Sequence, residues 1–146
     1  MLSLTDQKPK EIEGTLVDVL FRKSLDNRDK LADVQVQTLV ILGNIRTANP
    51  KAIDYMISVL PHYGNDTEAA EMALVQIGKP AVRAVVARLD KTTELDGGLQ
   101  FQLITILGKI GKDAAEGKKS IERVLNSSRN GDVKYAAEAA LQAIGG

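Results

Sequence analysis

The chain has 146 residues, with 19 basic and 19 acidic side chains, a 44% apolar share, no cysteine and no tryptophan. That length and apolar content suffice for one folded domain burying roughly 68–70% of its unfolded surface, and the missing cysteines exclude disulfides and thiolate chemistry. Zero net charge removes the general argument for attraction to nucleic acid or anionic membrane; residues 1–73 carry 8 basic and 11 acidic groups and residues 74–146 carry 11 and 8, a mild dipole of −3 against +3.

Residues 1–8 read as a polar, frayed end. The opening MLSLTDQKPKE has no apolar core behind basic residues, so it is not a signal peptide. No apolar run approaches the roughly 18 residues of a membrane span. The expectation is a soluble cytoplasmic chain, with a leader removed before Met1 left open. A first helix is expected from Pro9, a favoured first-turn residue, to about Ser24. Ile12, Leu16, Val19 and Leu20 form its stripe. Residues 26–30 read as a charged turn that closes a lead-in segment, 9–30.

A helix over residues 31–46 follows. Asn49-Pro50 then reads as a cap and first-turn proline. The helix that it opens, 50–60, points Ile53, Met56, Ile57 and Leu60 inward and ends at Pro61 and Gly64. Asn65-Asp66-Thr67-Glu68 has the form of a capping box, starting a helix that Gly78 stops after Ile77. Pro80 opens the next, with Val82, Val85, Val86 and Leu89 inward. Residues 91–98 read as a polar loop with a turn at Asp96-Gly97-Gly98.

A helix over 99–110 stops at Gly111. Its partner lies within 113–126, pointing Ile121, Val124 and Leu125 inward, with Gly117 marking its start or a kink. The last helix covers 132–144. No segment alternates with period two, so no sheet is expected.

Four of these helices share one pattern. Anchors at Ile45, Ile77, Ile110 and Ile144 are spaced 77−45 = 32, 110−77 = 33 and 144−110 = 34 residues apart. Positions three, four, seven and eleven before each anchor share one helix face. They hold Leu42, Ile41, Thr38 and Val34; Leu74, Ala73, Ala70 and Asp66; Leu107, Ile106, Leu103 and Leu99; and Leu141, Ala140, Ala137 and Val133. The alanines, with Ala136, are expected to let helix backbones approach, and the four leucines to act as knobs between them. A period in this range implies an array of helical pairs whose stripes merge into one core. The division is 31–64, 65–98 and 99–131 as repeats and 132–146 as a half repeat. The unpaired last helix would then carry an outer apolar face, implying that the chain continues or that a self-contact covers it.

The strings VQVQTLVILGNI, AAEMALVQIGKPAV, LQFQLITILGKIGKDA and VKYAAEAALQAIG resemble HEAT repeats, and more narrowly the short bacterial repeats of the phycobilisome-lyase type. Leu107-Gly108-Lys109-Ile110-Gly111 and Ile77-Gly78-Lys79-Pro80-Ala81-Val82 carry the likeness best. The first repeat departs, with Arg46 in place of the second glycine. The resemblance covers roughly residues 31–146 and implies a right-handed α-solenoid of about eight helices, armadillo-like in its superhelix. It also implies that the second helix of each pair lines a concave face that binds a protein or peptide. On that face would stand Asp54, Tyr55 and Ser58, then Arg83, Ala87 and Arg88, then Lys119, Glu122 and Arg123, with Tyr55 as an exposed anchor.

Catalytic patterns are sparse. Iron-holding relatives use repeated His-Glu pairs, whereas this chain has the single His62, and Glu68 and Glu71 complement a helix start. No cysteine and one terminal histidine leave nucleophilic catalysis without its parts. Gly108-Lys109 and Gly111-Lys112 lack the phosphate-loop spacing. Repair-type relatives would need a basic, aromatic groove, for which Arg83, Arg88, Lys91, Lys118, Lys119 and Arg123 are the basic candidates. The expectation is a non-enzymatic scaffold or protein-interaction module without cofactor, metal or membrane. The alternative is an enzyme of the same class, bilin-lyase-like or nucleic-acid-repair-like, with Asp54 beside Tyr55 as its site.

Overall fold

The computed structural model describes residues 9–22 and 28–145, and these are all-helical, with no strand among them. In chain order the helices are α1 (Pro9–Leu20), α2 (Arg28–Asn44), α3 (Pro50–Val59), α4 (Asn65–Ile77), α5 (Lys79–Asp90), α6 (Gly97–Ile110), α7 (Lys118–Ser127) and α8 (Gly131–Ile144). Short 3-10 segments at Leu60–His62, Glu94–Asp96 and Gly111–Gly117 join some of them. The frayed end expected at 1–8 and part of the turn expected at 26–30 lie outside the described residues.

Local chemistry sets these boundaries. Asn49 Oδ1 accepts from the amides of Lys51 and Ala52 at 3.0 and 3.4 Å, as expected of a cap. Asn130 does the same for Asp132 and Val133 at 2.9 and 3.3 Å. The box at α4 is shifted from the expected register. Gly64 is the cap residue, and its amide donates to Thr67 Oγ1 at 3.1 Å. That hydroxyl donates in turn to Val59 O at 2.9 Å, which ties the start of α4 to the end of α3. Threonine wins over Glu68 because one short side chain serves both helices.

Gly78 and Gly111 stop α4 and α6 with φ of 70° and 78°, a backbone open to glycine and strained for other residues. Arg46, at the same place in the first repeat, takes a φ of 52° without glycine's freedom. Several expected boundaries move. Helix α1 ends at Leu20, short of Ser24, and α2 takes in residues 28–30 of the expected turn. Gly97 and Gly98 begin α6 instead of forming a loop, with Thr93 and Asp96 closing the turn before it; Thr93 N donates to Asp96 Oδ2 at 2.8 Å. The helix expected within 113–126 is a 3-10 run followed by α7, with Gly117 at the junction. A Cβ on Gly117 would press Val86 Cγ2 at 3.2 Å and Leu107 Cδ1 at 3.3 Å, so the turn sits directly on the core.

Helices α2, α4, α6 and α8 pack as one row, each against the next, and α3, α5 and α7 lie behind them as a second row. Gly43 on α2 meets Ala73 on α4 so closely that a Cβ at 43 would lie 2.8 Å from Ala73 Cα. Gly108 on α6 meets Ala140 on α8 in the same way, at 3.0 Å. Both glycines stand two residues before their anchors and both alanines four before theirs. The α4 position matching Gly43 and Gly108 is Val75, and the α6 position matching Ala73 and Ala140 is Ile106. These branched residues hold α4 and α6 apart, and the contact between those two helices is much the smallest along the row.

One core runs through both rows, from Val17 and Leu20 to Ile144. Leu42, Leu74 and Leu107 are fully buried knobs, as expected, while Leu141 is half-buried. The first stripe needs a larger correction: Val34, Ile41 and Ile45 are 41%, 44% and 47% exposed. Ile41 occupies the position that Ala73 and Ala140 use to meet the preceding helix of the row. Among the described residues no row helix precedes α2, so that side stays open. On α8, Tyr135, Ala139 and Ala143 are exposed beside Glu138 and Gln142, so the last helix keeps the partly apolar outer side expected of it.

Candidate functional site

The second row carries the residues that the sequence singled out. Asp54 and Ser58 on α3, Arg88 on α5 and Lys91 just beyond its end line a groove of about 380 Å³. Asp54 also borders an adjoining groove of about 300 Å³ with Arg83. Asp54, Ser58, Arg83 and Arg88 thus share one surface, because α3 and α5 are neighbours in the row and present the same face.

The other candidates do not join them. Tyr55 is half-buried, not exposed, and its ring meets Phe21 edge to face with centroids 5.4 Å apart. One residue of helix rotation, about 100°, separates it from Asp54. Burial, and then the Asp66 carboxylate, raise its phenol above the ordinary pKa of 10.0. The pairing of Asp54 with Tyr55 suggested by sequence is therefore split between two surfaces. Arg123 serves the fold: its Nη2 donates to Leu89 O at 2.9 Å, at the C-terminal end of α5, with Asp90 Oδ1 at 3.9 Å. Leu89 O also accepts from Thr92 Oγ1 at 2.6 Å, so Arg123 belongs to a helix-end cluster. Lys118 Nζ similarly donates to Gly145 O at 3.0 Å. Lys119 and Glu122 are exposed on α7.

His62 is exposed at the end of its 3-10 turn. Among the described residues, no three His, Cys, Asp or Glu side chains gather as a metal would require. No described helix is long and apolar enough to cross a membrane.

A second surface lies on the opposite row and was missed in the sequence. Met72, Phe101 and Tyr135 are 60%, 41% and 74% exposed on α4, α6 and α8. Between α6 and α8 runs an apolar groove of about 350 Å³, walled by Phe101 and Tyr135 and floored by Gly108, Ala136 and Ala140. The glycine–alanine contact draws the two backbones together and leaves the aromatic rings as its sides. Between α4 and α6, Met72, Val75, Thr105 and Ile106 border a smaller groove of about 230 Å³, and Lys109 borders both grooves. A signal was present: Phe101 and Tyr135 each stand nine residues before their anchors, 110−101 and 144−135. That offset is outside the buried set of three, four, seven and eleven, so two aromatic residues recur where the pattern demands none.

No protein-family model matches the chain, and comparisons with curated proteins and with solved structures found no match.

Proposed function

We propose that the chain is a non-enzymatic protein-interaction or scaffold module of the HEAT-like class, its helical pairs stacked as a right-handed solenoid. The repeat of one close contact at one register, Gly43 on Ala73 and Gly108 on Ala140, supports the stacking. The two-row order of the helices supports it too. The observation that carries the interaction reading is the exposed apolar ridge of Met72, Phe101 and Tyr135 beside grooves between consecutive helices. Large apolar side chains at such grooves are typical of protein contact surfaces, and aromatics contribute most there. The α3–α5 surface with Asp54, Ser58, Arg83 and Arg88 offers a polar second face.

The test is affinity capture from the native cell with the parent chain and with a Phe101→Ser, Tyr135→Ser variant of unchanged far-ultraviolet dichroism. The reading expects a partner held by the parent and lost by the variant. Equal capture by both, together with small-molecule turnover abolished by Asp54→Asn, would replace it with the enzyme reading.

A further inference from the structure

Beyond the α6–α8 groove, a larger cavity opens at the N-terminal ends of the same two helices. It measures about 550 Å³. The chain has five aromatic residues, three tyrosines and two phenylalanines. Phe21 and Tyr55 pair with each other. The other three, Tyr63, Phe101 and Tyr135, come from three separate elements and line this one cavity. In a chain so poor in aromatics, that convergence calls for a chemical reason.

The placing of Tyr63 is built in. Its backbone is left-handed, with φ of 53°, an unfavourable state for a bulky residue. Its hydroxyl stands over Gly98, where any Cβ would collide with it. The polar lining is mixed: the tyrosines bring hydroxyls, and Asn130 brings an amide whose Oδ1 caps α8. Asp132 brings a carboxylate, and among the described residues no lysine or arginine lines the cavity; Arg129 and Lys134, close in sequence, are not part of it. Gln102 lines the cavity while only 7% exposed. Its Nε2 donates to Leu60 O at 2.9 Å, and its Oε1 is shut off from the cavity with no hydrogen-bond partner among the described residues.

We propose that this cavity receives the side chain of an arginine carried by a partner polypeptide. Ring faces attract a cation, and the Asp132 carboxylate adds charge of the same preference while repelling anions. The guanidinium alone among common cations combines a flat face that stacks on aromatic rings with five donors for the carboxylate oxygens. A quaternary ammonium satisfies the rings and leaves those oxygens unpaired. A primary ammonium is compact and holds its water more strongly. The inference rests on the interaction reading for the source of the arginine, and it specifies which residue of the partner is recognised.

The experiment titrates the full chain with the capped pentapeptide Ala-Ala-Arg-Ala-Ala, following aromatic ring resonances by NMR. Parallel titrations place citrulline, lysine, trimethyllysine or glutamate at the central position. The proposal expects saturable shifts at Tyr63, Phe101 and Tyr135, strongest binding for arginine, and citrulline weaker by about tenfold or more. Tyr135→Ala and Asp132→Asn should each weaken arginine binding on the order of fivefold, with unchanged far-ultraviolet dichroism. Tyr135 is 74% exposed, so its loss leaves the core intact. The proposal is overturned by an arginine peptide without saturable shifts, by citrulline or trimethyllysine binding as well as arginine, or by full binding to Tyr135→Ala. Failure of this titration alongside a partner captured through Phe101 and Tyr135 would remove the arginine and keep the interaction module. Success here with no captured partner would do the reverse.

Discussion

Replacing Gly43 by alanine separates the demands of packing from those of helix propensity. A Cβ at this position would lie 2.8 Å from Ala73 Cα and 2.9 Å from Ala73 Cβ, and would also overlap Gln76 Oε1. Carbon atoms rest at about 3.5–4.0 Å, so the α4 backbone must retreat by about 0.7 Å or more. Forcing a methyl group into a filled interface costs about 1–3 kcal/mol. The same substitution gains about 1 kcal/mol of helix propensity, which leaves a net loss of about 0–2 kcal/mol. Gly14→Ala isolates the second effect, because Gly14 lies inside α1 and a Cβ there has no atom within 4 Å. It should gain about 0.5–1 kcal/mol. Urea denaturation followed by dichroism at the helix band would read both variants. The expected gap between them is about 1–3 kcal/mol. If Gly43→Ala gains as much as Gly14→Ala, the close α2–α4 contact is wrong.

Arg46→Gly should stabilise the chain by about 0.5–1 kcal/mol, read by the same melts, because Arg46 holds a positive φ that glycine takes freely at Gly78 and Gly111. Leu107→Ala should cost about 2–5 kcal/mol, since Leu107 is fully buried, while Ile45→Ala, 47% exposed, should stay within about 0.5 kcal/mol; equal effects would show the core misdrawn. The raised pKa of Tyr55 favours its neutral phenol in the folded state. Its contribution is complete below the unfolded value near 10 and is lost as pH rises from there through the folded value. Melts across about pH 9–11.5 should therefore show a smaller alkaline loss in Tyr55→Phe than in the parent, and parallel curves would remove this linkage.

The fold was readable wherever apolar spacing and caps act locally. The stripes of α4, α6 and α8, the Asn49 cap and the stops at Gly78 and Gly111 follow from neighbours in sequence. Misreadings arose where a neighbour in space decides. Ile41 and Ile45 match the repeat but have no preceding row helix to cover them, and the Gly97-Gly98 turn signal yields to the helix that Leu99 and Leu103 anchor in the core. Of the site, the grouping of Asp54, Ser58, Arg83 and Arg88 was legible because equivalent faces of α3 and α5 align. Tyr55 was not, since its exposure depends on Phe21, thirty-four positions away (55−21). Tyr63, Phe101 and Tyr135 were missed for the same reason, as only tertiary packing brings a turn and two helix starts to one cavity.

The alternation of joints along the first row has a mechanical consequence. Glycine set on alanine locks α2 to α4 and α6 to α8, whereas Val75 and Ile106 leave α4 and α6 touching over a smaller area. The row thus has two tight joints with a looser one between them. A partner that spans both pairs would rest across this looser joint, and Val75 and Ile106 are the residues that set its spacing.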